Sequence, residues 1–148
     1  MMSNLSGIIK QKTHFFQIRV FYEDTDFTGI VYHANYLKFA ERGRTNFLRL
    51  LDVNHSELIS SNEPKYFVVY KMNSKFIGTS TIDDILEVRS NFKGIEGVRL
   101  KIDQDIFKGD KKVFSANIEF ALLDKNAKPI KFPAVSYTHL TLPTTPYV

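Results

Sequence analysis

Phe21-Tyr-Glu-Asp-Thr-Asp-Phe-Thr-Gly-Ile-Val-Tyr-His-Ala-Asn-Tyr36 is the stretch on which the reading of this 148-residue chain turns, because it joins two hydrophobic periodicities. Upstream of it, from His14, apolar Phe16, Ile18, Val20 and Tyr22 alternate with Gln17, Arg19 and Phe21, which predicts a strand with one mainly apolar face. Within it, Glu23 to Gly29 replaces alternation with acids, threonines and a glycine, a turn composition. Downstream, from Asn35 to Asp52, the period becomes helical. Tyr36, Ala40, Gly43, Phe47 and Leu51 fall on one stripe, Leu37, Leu48 and Leu50 widen it, and Lys38, Glu41, Arg42 and Arg49 flank it. At about 1.5 Å per residue such a helix is roughly 27 Å long, enough to cross a sheet. Gly43 sits mid-stripe at a cost of about 1 kcal/mol against alanine, so close approach of a sheet is its expected reason. The junction therefore delivers carboxylates to a helix start, where free amide N–H groups and the positive end of the dipole favour an anion.

Beyond the helix, Ser56 to Asn62 reads as a short helical turn, capped by Asn54 or Ser56 and stopped by Pro64. Four strand-like runs follow: Tyr66–Phe76, Ile85–Lys93, Val98–Phe107 and Val113–Leu123. Gly94-Ile-Glu-Gly97 and Lys108-Gly-Asp-Lys111 are the expected turns among them, Ile77 to Asp84 a longer polar connection, and Asp124 to Pro129 a closing turn. One strand, one long helix, then an antiparallel meander is an α+β arrangement with the sheet curled around the helix. Residues 1–13 read as a loose lead-in.

Composition bounds the function classes. One domain is expected at this length; 24% charged and 43% apolar residues are ordinary for a globular chain. The net charge of +4 is spread without a basic cluster, which argues against nucleic-acid binding and suits anionic small ligands. The absence of cysteine excludes disulfides, thiolate metal sites and a cysteine nucleophile. No signal sequence or run of some eighteen apolar residues is legible, so a cytoplasmic protein without a membrane span is expected. Val135 to Val148 is unlike the rest, with four threonines between Val135 and Thr145 and no acidic or basic side chain other than His139. Val135-Ser-Tyr-Thr-His-Leu-Thr-Leu-Pro-Thr144 resembles the frame translation of a transposase-type sequencing adapter. The expected organisation is one domain over residues 1–134 and a non-native tail over 135–148.

Asp24-Thr-Asp26-Phe-Thr28-Gly29 begins like a calcium loop, but Thr28 and Asn35 stand where that loop needs ligands, and a strand leads in. Capping and solvation are the ordinary fate of two acids in a turn. Here apolar neighbours (Tyr22, Phe27, Ile30, Val31, Tyr32), His33 seven residues after Asp26, and the helix start raise the prospect of chemistry. A carboxylate held there could act as base or nucleophile. Burial would raise its pKa and the helix end lower it, so the sequence leaves the value open. His14 and His55 read as surface or packing residues.

Asp24 to Tyr36, followed by Phe39-Ala-Glu-Arg-Gly-Arg44, resembles the hotdog-fold acyl-CoA thioesterases, and among them the YbgC-type members of the 4-hydroxybenzoyl-CoA thioesterase family. The likeness runs from about Phe16 to Pro133. It implies a five-stranded antiparallel sheet wrapped around one long helix, paired into homodimers or homotetramers with active sites at the dimer interface. It implies hydrolysis of acyl-CoA with no metal or other cofactor. Asp26 becomes the catalytic carboxylate and His33 the active-site histidine whose backbone N–H polarises the thioester carbonyl; Tyr32, Asn35 and Glu41 match supporting positions assigned to substrate binding. Acyl carrier protein is a possible partner. It also implies a further terminal segment after Phe132-Pro133, where this chain carries the unlike tail. The rival readings are a hotdog dehydratase or hydratase, whose pattern this sequence lacks, and a non-catalytic acyl-binding module.

Overall fold

The computed structural model describes residues 7–50 and 62–132. The expected short helix after Ser56, His55, Leu51 and the tail from Val135 lie outside the described residues. Strands β1 (Ile8–Lys10) and β2 (Thr13–Arg19) lead through a single 3-10 turn (Tyr22–Asp24) into helix α1 (His33–Leu50). Strands β3 (Tyr66–Phe76), β4 (Ile85–Glu96), β5 (Arg99–Lys108), β6 (Lys111–Leu123) and β7 (Pro129–Ile130) follow. All pairings are antiparallel, in the order β1-β2-β4-β5-β6-β3, with β7 on β6.

The helix lies against β2, β4 and β5. The alternation read from the sequence holds on the inner face of the sheet: Leu86, Val88 and Ser90 on β4, and Leu100, Ile102, Gln104 and Ile106 on β5, are buried. Tyr36, Ala40, Gly43 and Phe47 are buried as expected, and so are Phe39, Arg44 and Asn46, which the single stripe missed. A sheet that curls around a helix covers a wider arc of it than a flat one. Gly43 is where the two layers come closest: a Cβ there would stand 2.7 Å from Val88 Cγ1.

Three details differ from the sequence reading, and for His14 the packing alternative is the one that holds. Among the described residues the sheet has seven strands instead of five, because the lead-in and the closing turn each add a short one, β1 and β7. The first strand stops at Arg19, so Tyr22 leaves the apolar face and is 81% exposed. Lys93-Gly94 forms a bulge opposite Lys101, Lys93 being the unpaired residue and Gly94 having a φ of +133° that a side chain would resist; β4 runs on to Glu96, and the turn is Gly97-Val98. His14 is fully buried: its Nε2 lies 2.6 Å from Asn46 Oδ1, which also accepts the Gly7 N–H at 2.9 Å, and its ring stacks on Phe47 at 5.0 Å. No helix among the described residues is long and apolar enough to cross a membrane.

Candidate active site

The segment between β2 and α1 folds back on itself. Thr25 bridges Val31, the Asp26 N–H donates to Ile30 O at 2.9 Å, and the Gly29 N–H donates to Asp26 O at 3.0 Å. Gly29 has φ of +88°, the left-handed value that ends such a turn. The loop is held from outside by the connection after β3: the Val31 N–H donates to Ser80 O at 2.8 Å, and Ile30 bridges Thr81. That connection is in turn pinned to the helix by the buried Tyr36, whose hydroxyl lies 3.0 Å from Ser80 Oγ. Burial pushes the Tyr36 phenol above its usual pKa.

The two aspartates stand in different surroundings. Asp24 is 6% exposed; its Oδ2 accepts the Phe21 N–H at 2.8 Å, and its backbone O accepts the Tyr32 N–H at 3.0 Å and Asn35 Nδ2 at 2.9 Å. Asp26 is only partly covered, and its Oδ1 accepts both the hydroxyl and the N–H of Thr28. Those two bonds, the hydroxyl first, hold its carboxyl below the usual aspartate pKa and outweigh the opposing effect of burial. Asp26 is thus ionised at neutral pH, a state suited to a base or nucleophile and unsuited to a general acid. The apolar neighbours foreseen around it do not cover it within one chain: Phe27 is 101% exposed and Tyr22 nearly so.

His33 opens the helix on an exposed position, with its ring 4.7 Å from that of Tyr32 and edge-on to Phe76 at 5.5 Å. The Asn35 N–H closes the first turn onto Tyr32 O at 2.8 Å, while the amides of His33 and Ala34 precede any intrahelical partner. Asp26, Tyr32, His33 and Asn35 therefore lie on one loop–helix segment, Asp26 in the turn that pairs with Ile30 and the other three where the helix begins. Glu41 does not join them: it lies two turns along the helix, exposed, accepting the Thr45 hydroxyl at 2.7 Å. Asn35 is 7% exposed, with its amide turned to Asp24. Asp26 and His33 share no hydrogen bond or ion pair among the described residues; the partners of Asp26 are within its own turn. A cleft of about 430 Å³ between the start of β1, β2 and the start of β4 is lined by none of the junction residues.

Sequence reasoning missed Thr28, Phe76 and Ser80 as parts of this junction. Asp-x-Thr is a legible turn in which the later residue bonds back to the acid. Phe76 and Ser80 are brought in by the sheet, and nothing local signals that.

The profile of the thioesterase superfamily matches residues 28–115. The acyl-CoA thioesterase YbgC of Haemophilus influenzae is 34% identical over 119 residues, which is 80% of this chain and 87% of that protein. The acyl-CoA thioesterase YbgC of Helicobacter pylori is 33% identical, over 78% of this chain and 90% of that protein. A crystal structure of a probable thioesterase from Bartonella henselae superposes with a TM-score of 0.79 at 39% identity, covering 82% of this chain and 99% of that one.

Proposed function

Since the chain belongs to the thioesterase superfamily, we infer that it hydrolyses acyl-CoA thioesters with the Asp26 carboxylate as the reacting base or nucleophile. The fold is the hotdog, and the enzyme is a thioester hydrolase. What supports the assignment to Asp26 is one observation: an ionised carboxylate, held in a tight turn by Thr28, shares a loop–helix segment with the amides that open α1, which have no hydrogen-bond partner among the described residues.

The chemistry follows from that pairing. The thioester carbonyl oxygen is received at the helix start near His33, where fixed N–H donors and the dipole stabilise the negative charge that develops on it. Asp26 then either takes a proton from an attacking water or attacks the carbonyl carbon itself, giving an anhydride that water opens. Both routes expel CoA as thiolate and need an ionised Asp26. Tyr32, half-exposed beside His33, walls the approach of the acyl group. No residue of the junction requires a metal or an organic cofactor for this reaction.

Assembly is part of the same proposal. β3 is an edge strand of eleven residues on which Tyr66, Val69, Tyr70 and Phe76 are exposed, and Phe21, Tyr22 and Phe27 form an apolar rim at the junction. An unpaired apolar edge of that length is a liability unless covered. A second copy pairing through β3 would cover it in a homodimer or homotetramer, and a chain sedimenting as a monomer at micromolar concentration would remove this part. Glu41, away from the junction in its own chain, is assigned to substrate contacts that such an assembly completes. A cytoplasmic setting and docking of acyl carrier protein extend the reading.

The test is thiol release from a panel of acyl-CoA substrates running from acetyl-CoA to palmitoyl-CoA and benzoyl-CoA. Turnover by the wild type is expected, and Asp26→Asn should lower kcat by about 10²–10⁴-fold while keeping the melting temperature. Near-wild-type kcat in that variant would take Asp26 out of the mechanism. Stoichiometric binding without turnover in the wild type would leave an acyl-binding module.

A further inference from the structure

Asp26 is not itself tied to the helix. Its carboxylate bonds to Thr28, its N–H to Ile30 and its carbonyl to Gly29, all inside one turn. Something else must set that turn against the helix start, and two buried polar side chains lie where it is set. Asn35 Nδ2 donates to Asp24 O at 2.9 Å and stands 3.5 Å from Asp24 Oδ1. The other carboxylate oxygen of Asp24 accepts the Phe21 N–H at 2.8 Å. We propose that Asn35 is a positioning residue for thioester hydrolysis: through Asp24 it fixes where the Asp26 carboxylate stands relative to the amides that open α1. This rests on the reading of Asp26 as the reacting carboxylate.

The geometry favours this over two other roles. A helix cap places its side-chain acceptor on the amides of the first turn; Asn35 instead uses a donor, and aims it out of the helix at the carbonyl two residues before Asp26. A substrate contact needs an accessible group, and Asn35 is 7% exposed. Side chains in a helix lean toward its N-terminus, which gives the third residue of α1 this reach. Its own N–H is locked onto Tyr32 O at 2.8 Å, so the donor is held in direction as well as in distance. The other tether from the helix start to this carbonyl, Tyr32 N–H to Asp24 O, is backbone only and persists in any side-chain variant. Losing Asn35 therefore loosens the turn without releasing it.

Reacting atoms must stand about 3–3.5 Å apart, and misplacement by 1 Å costs about 100-fold in rate. Since ground-state binding of the substrate does not run through Asn35, the loss belongs in kcat. In steady-state kinetics on the best acyl-CoA of the panel, Asn35→Ala is expected to lower kcat by about 10–100-fold and to change KM by less than about 3-fold. Alanine is the better helix former, so the helix itself is not weakened.

Asn35→Asp supplies a readout that a general structural lesion does not move. Ionised, the introduced carboxyl has no proton to donate and faces the Asp24 carboxylate. Protonated, it restores the bond to Asp24 O. Burial and the neighbouring Asp24 carboxylate raise its pKa against the lowering pull of the helix start, whereas Asp26 stays ionised in mild acid because Thr28 holds its pKa down. The kcat of Asn35→Asp relative to wild type should therefore climb as pH falls from about 8 to about 5. A flat or falling ratio overturns the inference, even if Asn35→Ala fails to fold. So does a rise in KM with kcat unchanged in Asn35→Ala, which would make Asn35 a substrate contact. Asp26→Asn, assayed alongside, separates the two levels. If it is inactive while Asn35→Ala turns over like wild type, only the positioning role is lost. If it turns over normally, the assignment of Asp26 fails and the positioning role fails with it.

Discussion

Gly43→Ala adds one methyl group where α1 and the sheet touch. The new Cβ would meet Val88 Cγ1 at 2.7 Å and Val88 Cβ at 3.2 Å, with Gln104 Nε2 at an ordinary 3.5 Å. Val88 is fully buried and β-branched on a central strand, so it cannot rotate away cheaply. The layers must part by several tenths of an ångström. Overpacking of this kind costs about 1–3 kcal/mol, and alanine returns about 1 kcal/mol of helix propensity. The net expectation is a loss of roughly 0–2 kcal/mol, or some 0–8 °C in melting temperature for a chain of this size. The decisive measurement is a double-mutant cycle by urea unfolding. In a Val88→Ala background the closest contact is gone, so the same Gly43→Ala change should cost nothing or stabilise, with a coupling of at least about 1 kcal/mol. Additivity of the two changes within about 0.5 kcal/mol would refute steric contact as the reason for glycine at this position.

Two further outcomes follow from the core. Gln104 links the layers by accepting from Arg44 Nη1 at 3.0 Å and donating to Ala40 O and Ser90 Oγ. Burial has pushed the Arg44 guanidinium down to about 10. Gln104→Leu strands these partners and should cost about 2–4 kcal/mol in urea unfolding; Arg44→Met, which removes a poorly compensated buried cation, should cost less, and the reverse order would contradict the network. His14 has its pKa lowered by burial, with Asn46 opposing, and its Nδ1 lacks a partner among the described residues. Below about pH 6.5 the unfolded chain takes up a proton that the folded chain refuses, so stability falls with falling pH, by up to about 1.4 kcal/mol per unit, until the folded pKa is reached. His14→Gln should flatten that slope in melting temperatures taken between pH 7 and 5; an unchanged slope would assign it to other groups.

Period and turn chemistry in the sequence carried the α+β order, the helix, the bounds of β3 and the identity of the junction, because these are written in residues close together in the chain. Alternation made the inner faces of β4 and β5 readable, and the step from period 2 to period 3.6 located the helix start within two residues of where it lies. The Asp-x-Thr turn was equally local, although its partner role for Asp26 went unread. The difference in surroundings between the aspartates was not local. Which one is buried depends on Asn35 and Phe21 closing around Asp24, and the lowered pKa of Asp26 depends on the reach of the Thr28 hydroxyl. His14 looked like a surface or packing residue because its partner Asn46 is 32 residues away. Ser80 and Phe76 came to the junction only when the connection after β3 crossed the helix start. The sequence by itself determined which chemistry this junction could hold, since residue types and turn geometry are local. Only the tertiary structure decided which carboxylate is free to perform it, since burial and hydrogen bonding are set by whatever the rest of the chain packs against each side chain.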